Sequence, residues 1–150
     1  MIYRPALPSD APQIASFQIA MARETENIAL DAPTVDKGVR AVFEQPARGQ
    51  YFAADENGRA VASLLITYEW SDWRNGTIWW MQSVYVDPAF RGKGVFKGLY
   101  QFVRERAEAD PSVMGIRLYV EQHNTKAQKV YRKLGMASER YGLFEWMKTL

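Results

Sequence analysis

Arg91, Gly92, Lys93, Gly94 and Lys97 fall within seven residues, between the apolar run Val84-Tyr85-Val86 and an amphipathic stretch that begins near Phe96. Glycines lack a Cβ, so the chain can turn tightly and bring its amides close to a ligand. Phe96, Leu99, Tyr100, Val103 and Ala107 share one helical face, which predicts a helix starting just after the glycines. Its first-turn N–H groups lack intrahelical partners, and the helix dipole places about half a positive charge at that end. A pyrophosphate would satisfy both. On this reading the amides of Gly92 through Lys97, those of Val95 and Phe96 included, contribute direction, while Arg91, Lys93 and Lys97 contribute charge. A solvated basic turn between a strand and a helix would use the same residue types. Two other phosphate-binding patterns fit less well. A P-loop needs GxxxxGK followed by Ser or Thr, and in the dinucleotide fingerprint GxGxxG the third glycine would stand one residue before Gly98.

A second segment, from Asn124 to Gly135, follows the apolar run MGIRLYV. Asn124 suits a helix N-cap, and Gly135 suits the left-handed residue that closes a helix. Between them Ala127, Val130, Tyr131 and Leu134 form one apolar stripe. Asn124 and Tyr131 stand seven positions apart, close to two turns at about 3.6 residues each, so both can face one cleft. Packing of Tyr131 in the core is the structural alternative.

Together these segments resemble the GNAT superfamily of acyl-coenzyme A dependent N-acyltransferases. The family's pyrophosphate loop reads Gln/Arg-x-x-Gly-x-Gly/Ala. Arg91 and Gly94 occupy the first two fixed places, and Phe96 departs at the third. The downstream signature Asn-x-x-Ala-x-x-x-Tyr-x-x-x-Gly is matched at Asn124, Ala127, Tyr131 and Gly135. The resemblance implies acetyl-coenzyme A as cofactor and direct acetyl transfer to an amine in a ternary complex. It implies that Val84-Tyr85-Val86 splays from a neighbouring strand to pair with the pantetheine arm and offers an N–H to the thioester oxygen. It assigns Asn124 to that arm and Tyr131 to protonation of the departing sulfur. Amide formation also requires a neutral amine. Polyamine acetyltransferases of the family carry a glutamate where this chain has Gln82. Glu24 and Glu26 at the end of the first helical region, and Glu69, are the remaining candidates for a general base acting through water.

The stretch around Glu69 speaks to the acceptor. Tyr68, Glu69, Trp70, Asp72 and Trp73 bring three aromatic rings and two carboxylates within six residues. Aromatic faces attract ammonium groups by about 0.5 to 2 kcal/mol, so a small cationic amine is the expected substrate, bound among Glu26, Tyr68, Glu69, Trp70, Trp73 and Gln82. Strand alternation sets Glu69 on the opposite face from Tyr68 and Trp70, and places Trp79 and Trp80 on opposite faces too. Bracing of a hairpin or burial in a homodimer interface would use Trp70 and Trp73 equally well.

These residues require a scaffold of alternating elements. Residues 2 to 6 read as a strand; Pro8-Ser9-Asp10 introduces a helix bearing Ile14, Phe17 and Met21; and Pro33 begins another bearing Val35, Val39, Val42 and Phe43. Tyr51 to Ala54 and Val61 to Tyr68 are expected strands, joined by Asn57-Gly58, and Asn75-Gly76 marks a second hairpin into Thr77 to Asp87. A strand from Met114 to Glu121, the helix after Asn124 and a last strand near Leu143 to Met147 complete the expectation. The order implies one α/β (α+β) domain over residues 1–150, a GNAT-like mixed and mostly antiparallel sheet flanked by about four helices.

Composition narrows the alternatives. A chain of 150 residues makes one ordinary domain with a real core. Net charge of +2 does not favour a nucleic-acid partner, although Lys126, Lys129, Arg132 and Lys133 form a local basic face. Zero cysteines remove disulfides, thiolate metal sites and cysteine nucleophiles, and one histidine, His123, leaves hydrolytic triads and histidine metal sites unsupported; no metal is expected. No apolar run approaches the roughly 20 residues of a membrane span, so a cytoplasmic protein without a membrane partner is expected. Three function classes stand open: an N-acetyltransferase acting on a small amine, or on protein lysine or an N-terminus; a catalytically idle acyl-coenzyme A sensor; and a nucleic-acid binding domain.

Overall fold

The structure, a computed structural model, describes residues 1–149. It divides into two compact units, Met1–Arg117 and Leu118–Leu150, which are described in turn.

In the first unit β1 (Ile2–Pro5), α1 (Ala11–Glu26) and α2 (Ala32–Glu44) precede β2 (Gln50–Glu56), β3 (Arg59–Ser71) and β4 (Gly76–Val86). There follow α3 (Val95–Ala109) and β5 (Val113–Arg117). The five strands form one sheet in chain order, antiparallel throughout except that β5 runs parallel to β4. The sheet is thus mixed and mostly antiparallel, as the sequence implies.

Local chemistry accounts for the boundaries. Asn57 and Gly58 both take positive φ, 54° and 82°, the backbone of a two-residue hairpin whose twist matches its strands. Asp31 caps α2 by accepting the Thr34 amide, and Pro33 sits in its first turn, where a missing N–H costs no helical bond. β3 is longer than expected, reaching Ser71, because Tyr68, Glu69 and Trp70 pair with Trp79, Ile78 and Thr77. The residues from Tyr68 to Ser71 therefore lie in the sheet, and Asp72–Asn75 alone make the turn.

Side-chain alternation gives the sheet two apolar faces. On one, Tyr51 and Leu65 meet Ile14, Ala15 and Val39 of α1 and α2, and the rings of Phe43 and Tyr51 stack at 5.6 Å. On the other, Phe52 packs edge-on against Phe102 of α3 at 6.1 Å, alongside buried Leu99 and Val103. Val95 joins the buried stripe of α3, whereas Phe96 is half-buried with its ring 6.2 Å from Tyr100. Arg4 ties β1 to the turn before α1, donating to Asp10 (2.7 Å) and Asp55 (2.8 Å).

The second unit holds α4 (Thr125–Lys133). Asn124 Oδ1 accepts the Ala127 amide at 3.1 Å, the N-cap its residue type predicts. At the other end Gly135 takes φ 88°; its N–H donates to the Arg132 carbonyl and that of Met136 to the Tyr131 carbonyl, the paired bonds of a Schellman closure.

Two expectations are corrected. The strand expected over 114 to 121 ends at Arg117, where its ladder with β4 stops. The strand expected near Leu143 to Met147 does not form: the segment pairs with no strand, and Phe144 and Trp146 are 98% and 87% exposed. Its apolar and aromatic content suits a strand, but a strand needs a neighbouring edge to supply its hydrogen bonds.

Candidate active site

β4 passes into the glycine-rich loop through a capped turn. Asp87 donates its amide to the Val61 carbonyl, and its side chain accepts the Ala89 amide, fixing the 3-10 turn over Pro88–Phe90. Arg91 is extended; Gly92 and Gly94 then take φ 75° and 74°, values that disfavour any side chain. A Cβ at either glycine would meet nothing within 4 Å, so both were selected for backbone conformation and not by crowding within the fold. Gly94 is the N-cap of α3 and provides no side-chain cap. The first-turn amides of α3 therefore await an acceptor from outside the helix. Lys93 and Lys97 lie in this segment, with the Lys93 ammonium 5.4 Å from the Phe90 ring centroid. These residues fit a pyrophosphate.

Upstream, the ladder contains a feature that the sequence does not announce. Ser63 pairs with Tyr85 and Leu65 with Gln82, so Ser83 and Val84 together oppose Leu64. This is a β-bulge, and Ser83 takes φ 55° within it. The extra residue shifts the phase of the strand. Trp80, Gln82 and Tyr85 share the face that packs on α1, where strict alternation would have put Val84 and Val86. β4 pairs with β5 only from Thr77 to Trp80, so among the described residues of the sheet Tyr85 and Val86 pair with β3 alone, and Val84 lies in the bulge.

The bulge brings Tyr85 to α1. The Tyr85 ring lies 5.2 Å from that of Phe17, and its hydroxyl donates to Glu24 Oε1 at 2.8 Å. Arg91 donates through Nη2 to Glu24 Oε2 at 2.8 Å and through Nε to the Val86 carbonyl at 2.9 Å, with its guanidinium 5.2 Å from the Tyr85 centroid. Arg91, followed by Tyr85, holds the Glu24 carboxyl below its ordinary value. Both oxygens of Glu24 are thus engaged, whereas Glu26, the last residue of α1, is exposed.

Glu69 is also engaged. It accepts from the Trp80 indole N–H and from Arg117 at 3.1 Å, joining β3, β4 and β5 on the α1 face. Next to it Gln82 donates to Thr67 Oγ1 at 2.7 Å. Tyr68 and Trp70 project from the opposite face, as alternation requires. There Tyr68, 43% exposed, and Trp79 line an open cavity of about 820 Å³ with Gln50, Arg106 and Asp110 near the C-terminal end of α3. Trp73, 87% exposed, sits in the hairpin turn. The aromatic and acidic residues that are neighbours in sequence are therefore divided between two faces, and Trp80 and Arg117, which the sequence reading did not assign, are the partners of Glu69. No local pattern could have shown Arg117, which lies 48 positions away.

In the second unit Asn124 caps α4 and Tyr131 is half-buried, with its hydroxyl pKa pushed up by burial. The His123 amide donates to Glu121 Oε2 in the turn before the cap. Among the described residues no helix is long and apolar enough to cross a membrane.

With this geometry in place, comparison defines the class. The model of the acetyltransferase (GNAT) family matches residues 16–136, across both units. The chain belongs to the GNAT family of acetyltransferases. It is similar to a structure described as a possible acetyltransferase from Clostridium difficile 630, with 38% identity and a TM-score of 0.93, covering 99% of this chain and 98% of that one. It is 33% identical over 91 residues to mycothiol acetyltransferase of Mycolicibacterium gilvum (strain PYR-GCK). That match takes in 58% of this chain but only 29% of the relative, so the chain spans less than a third of that protein's length. The fold also matches ribosomal-protein-alanine N-acetyltransferase from Brucella melitensis biovar Abortus 2308 at a TM-score of 0.78 and 16% identity, covering 97% of this chain and 98% of that one.

Proposed function

We propose that residues 1–150 act as one N-acetyltransferase domain, which moves an acetyl group from acetyl-coenzyme A to the primary amine of a small cationic molecule by direct attack in a ternary complex. The observation that carries this reading is the pair of left-handed glycines, Gly92 and Gly94, turning the chain into the uncapped N-terminus of α3. Backbone amides there hold a pyrophosphate by direction as well as charge. When bound, acetyl-coenzyme A supplies the activated thioester. The chain does the rest. The backbone of β4 at Val84–Val86 offers donors where negative charge develops on the thioester oxygen. Asn124 binds the pantetheine arm, and Tyr131 delivers a proton to the departing sulfur. The Tyr131 hydroxyl, its pKa raised by burial, is protonated at neutral pH and so has a proton to give.

On the acceptor side Glu69, oriented by Trp80 and Arg117, supplies the carboxylate that attracts the ammonium group. Gln82 cannot accept a proton usefully, and both oxygens of Glu24 and of Glu69 are already engaged, so deprotonation of the amine runs through water beside Glu26 or precedes binding. A chain without cysteine suits the reducing cytoplasm, which we take as its location.

The test is release of coenzyme A thiol from acetyl-coenzyme A across diamines, polyamines, amino sugars, amino acids and lysine peptides, with coenzyme A binding followed by calorimetry. Turnover with small cationic amines supports the proposal. Turnover with peptides alone would move the acceptor to protein. Binding without turnover across the panel would leave a sensor, and absence of binding would overturn the assignment of the loop.

A further inference from the structure

The loop that the proposed function assigns to pyrophosphate is attached to α1 through one carboxylate. We infer that Glu24 is a positioning residue for the cofactor: it holds the Arg91 guanidinium in its binding orientation, with Tyr85 as the third member of the brace, and does not serve as the general base. The inference rests on the assignment of the loop and goes beyond it to a residue on a different element, 67 positions away from Arg91.

Arg91 is the flexible part of an otherwise backbone-defined site. A free arginine loses rotamer entropy when it closes on an anion. Here that ordering precedes binding. Nε is fixed on the Val86 carbonyl, Nη2 on Glu24 Oε2, and the guanidinium lies over the Tyr85 ring. Neither bond uses Nη1, so that end remains able to donate to an incoming phosphate. Tyr85 holds the other oxygen of Glu24, so the carboxylate cannot rotate without breaking both contacts.

The brace depends on the bulge at Ser83 and Val84, because only the shifted phase brings Tyr85 to the α1 face. It also changes the role of Arg91. Paired with Glu24, Arg91 adds little net charge at the loop; its contribution is geometric, and the net positive field comes from Lys93, Lys97 and the α3 N-terminus.

Charge and geometry can be separated at this position. In Glu24→Gln the amide oxygen can still accept from Arg91 while its nitrogen donates to the Tyr85 oxygen, so the brace survives without the charge. In Glu24→Ala it is lost. Calorimetric titration of coenzyme A and of inorganic pyrophosphate, together with steady-state kinetics, reads the difference. Expected is a rise of about three- to fivefold in Kd for coenzyme A and in KM for acetyl-coenzyme A in Glu24→Ala, with kcat retained, as for loss of a partly exposed ion pair. Glu24→Gln should stay within about twofold of wild type. In an Arg91→Ala background the further change Glu24→Ala should be silent, since coupled residues are not additive. Tyr85→Phe, which keeps the ring and removes one bond to Glu24, should fall between and serves should Glu24→Ala fail to fold.

Unchanged cofactor affinity in folded Glu24→Ala overturns the inference while leaving the loop assignment intact. So does an equal loss of kcat in the Gln and Ala variants together with the acidic limb of the pH profile, which would make Glu24 the base. Wild-type protein that binds neither coenzyme A nor pyrophosphate would instead remove the loop assignment itself.

Discussion

Glu69 on β3 and Arg117 on β5 meet across the intervening strand, 3.1 Å apart, with the Trp80 indole of β4 donating to the same carboxylate. The pair is partly exposed, at 42% and 30% for the two side chains. Its worth to the fold is therefore small, within about 1 kcal/mol. Its larger consequence is for a charged ligand, because Arg117 offsets the charge that Glu69 presents. Glu69→Gln should raise KM for a cationic amine and Arg117→Met should lower it, each by roughly three- to fivefold, a change of up to about 1 kcal/mol. Steady-state KM for one diamine in the two variants checks this; movement in the same direction would exclude Glu69 as the acceptor's counter-ion.

Tyr131 should be replaceable structurally but not chemically. Tyr131→Phe keeps the ring in the apolar stripe of α4 and should lower kcat by about 10²- to 10⁴-fold, the usual contribution of a positioned proton donor. Burial raises the hydroxyl pKa, so the wild-type rate should not decline through deprotonation of this group until the pH exceeds about 10, the ordinary tyrosine value. A basic limb well below that value would assign the acid to another group.

Arg4 holds two carboxylates at once, and stability should follow their ionisation. Burial pushes the Asp10 carboxyl up, but the hydrogen bond and charge of Arg4 and the Leu7 amide outweigh it and leave the pKa below its ordinary value. Asp55 is lowered chiefly by its hydrogen bond from Arg4. A folded-state pKa below the unfolded one stabilises fully above the unfolded value of about 3.9 and is lost as pH falls through the folded one. Urea midpoints should therefore be flat from pH 7 to about 5 for these groups and fall below pH 4. Arg4→Met should lower the urea midpoint at neutral pH, because two carboxylates remain without their cation.

Ser63 offers the opposite case. Its Oγ is buried on the α1 face of β3 with no hydrogen-bond partner. Ser63→Ala removes an unsatisfied group and should raise stability by about 1 kcal/mol, measured by denaturant unfolding, where burial of a small polar residue usually costs nothing to keep only when it is paired.

What was legible in the sequence is what neighbours in the chain decide. The Asn57-Gly58 turn, the Asn124 cap, the Gly135 closure and the left-handed Gly92 and Gly94 depend on φ preferences and on hydrogen bonds spanning a few residues, so residue type and spacing suffice. The face assignments of Glu69, Tyr68 and Trp70 followed from alternation for the same reason. The strand expected near Leu143 to Met147 shows the limit, since apolar and aromatic content states that a segment could pair and not whether an edge is available to it.

Tertiary structure decided the rest through register. A two-against-one mismatch between β3 and β4 turned Tyr85 toward α1 and so joined Glu24 to Arg91, and the parallel pairing of β5 with β4 set Arg117 beside Glu69. These partners stand tens of residues apart in the chain. Their meeting is fixed by the summed hydrogen bonding and packing of whole strands, which no local window of sequence contains.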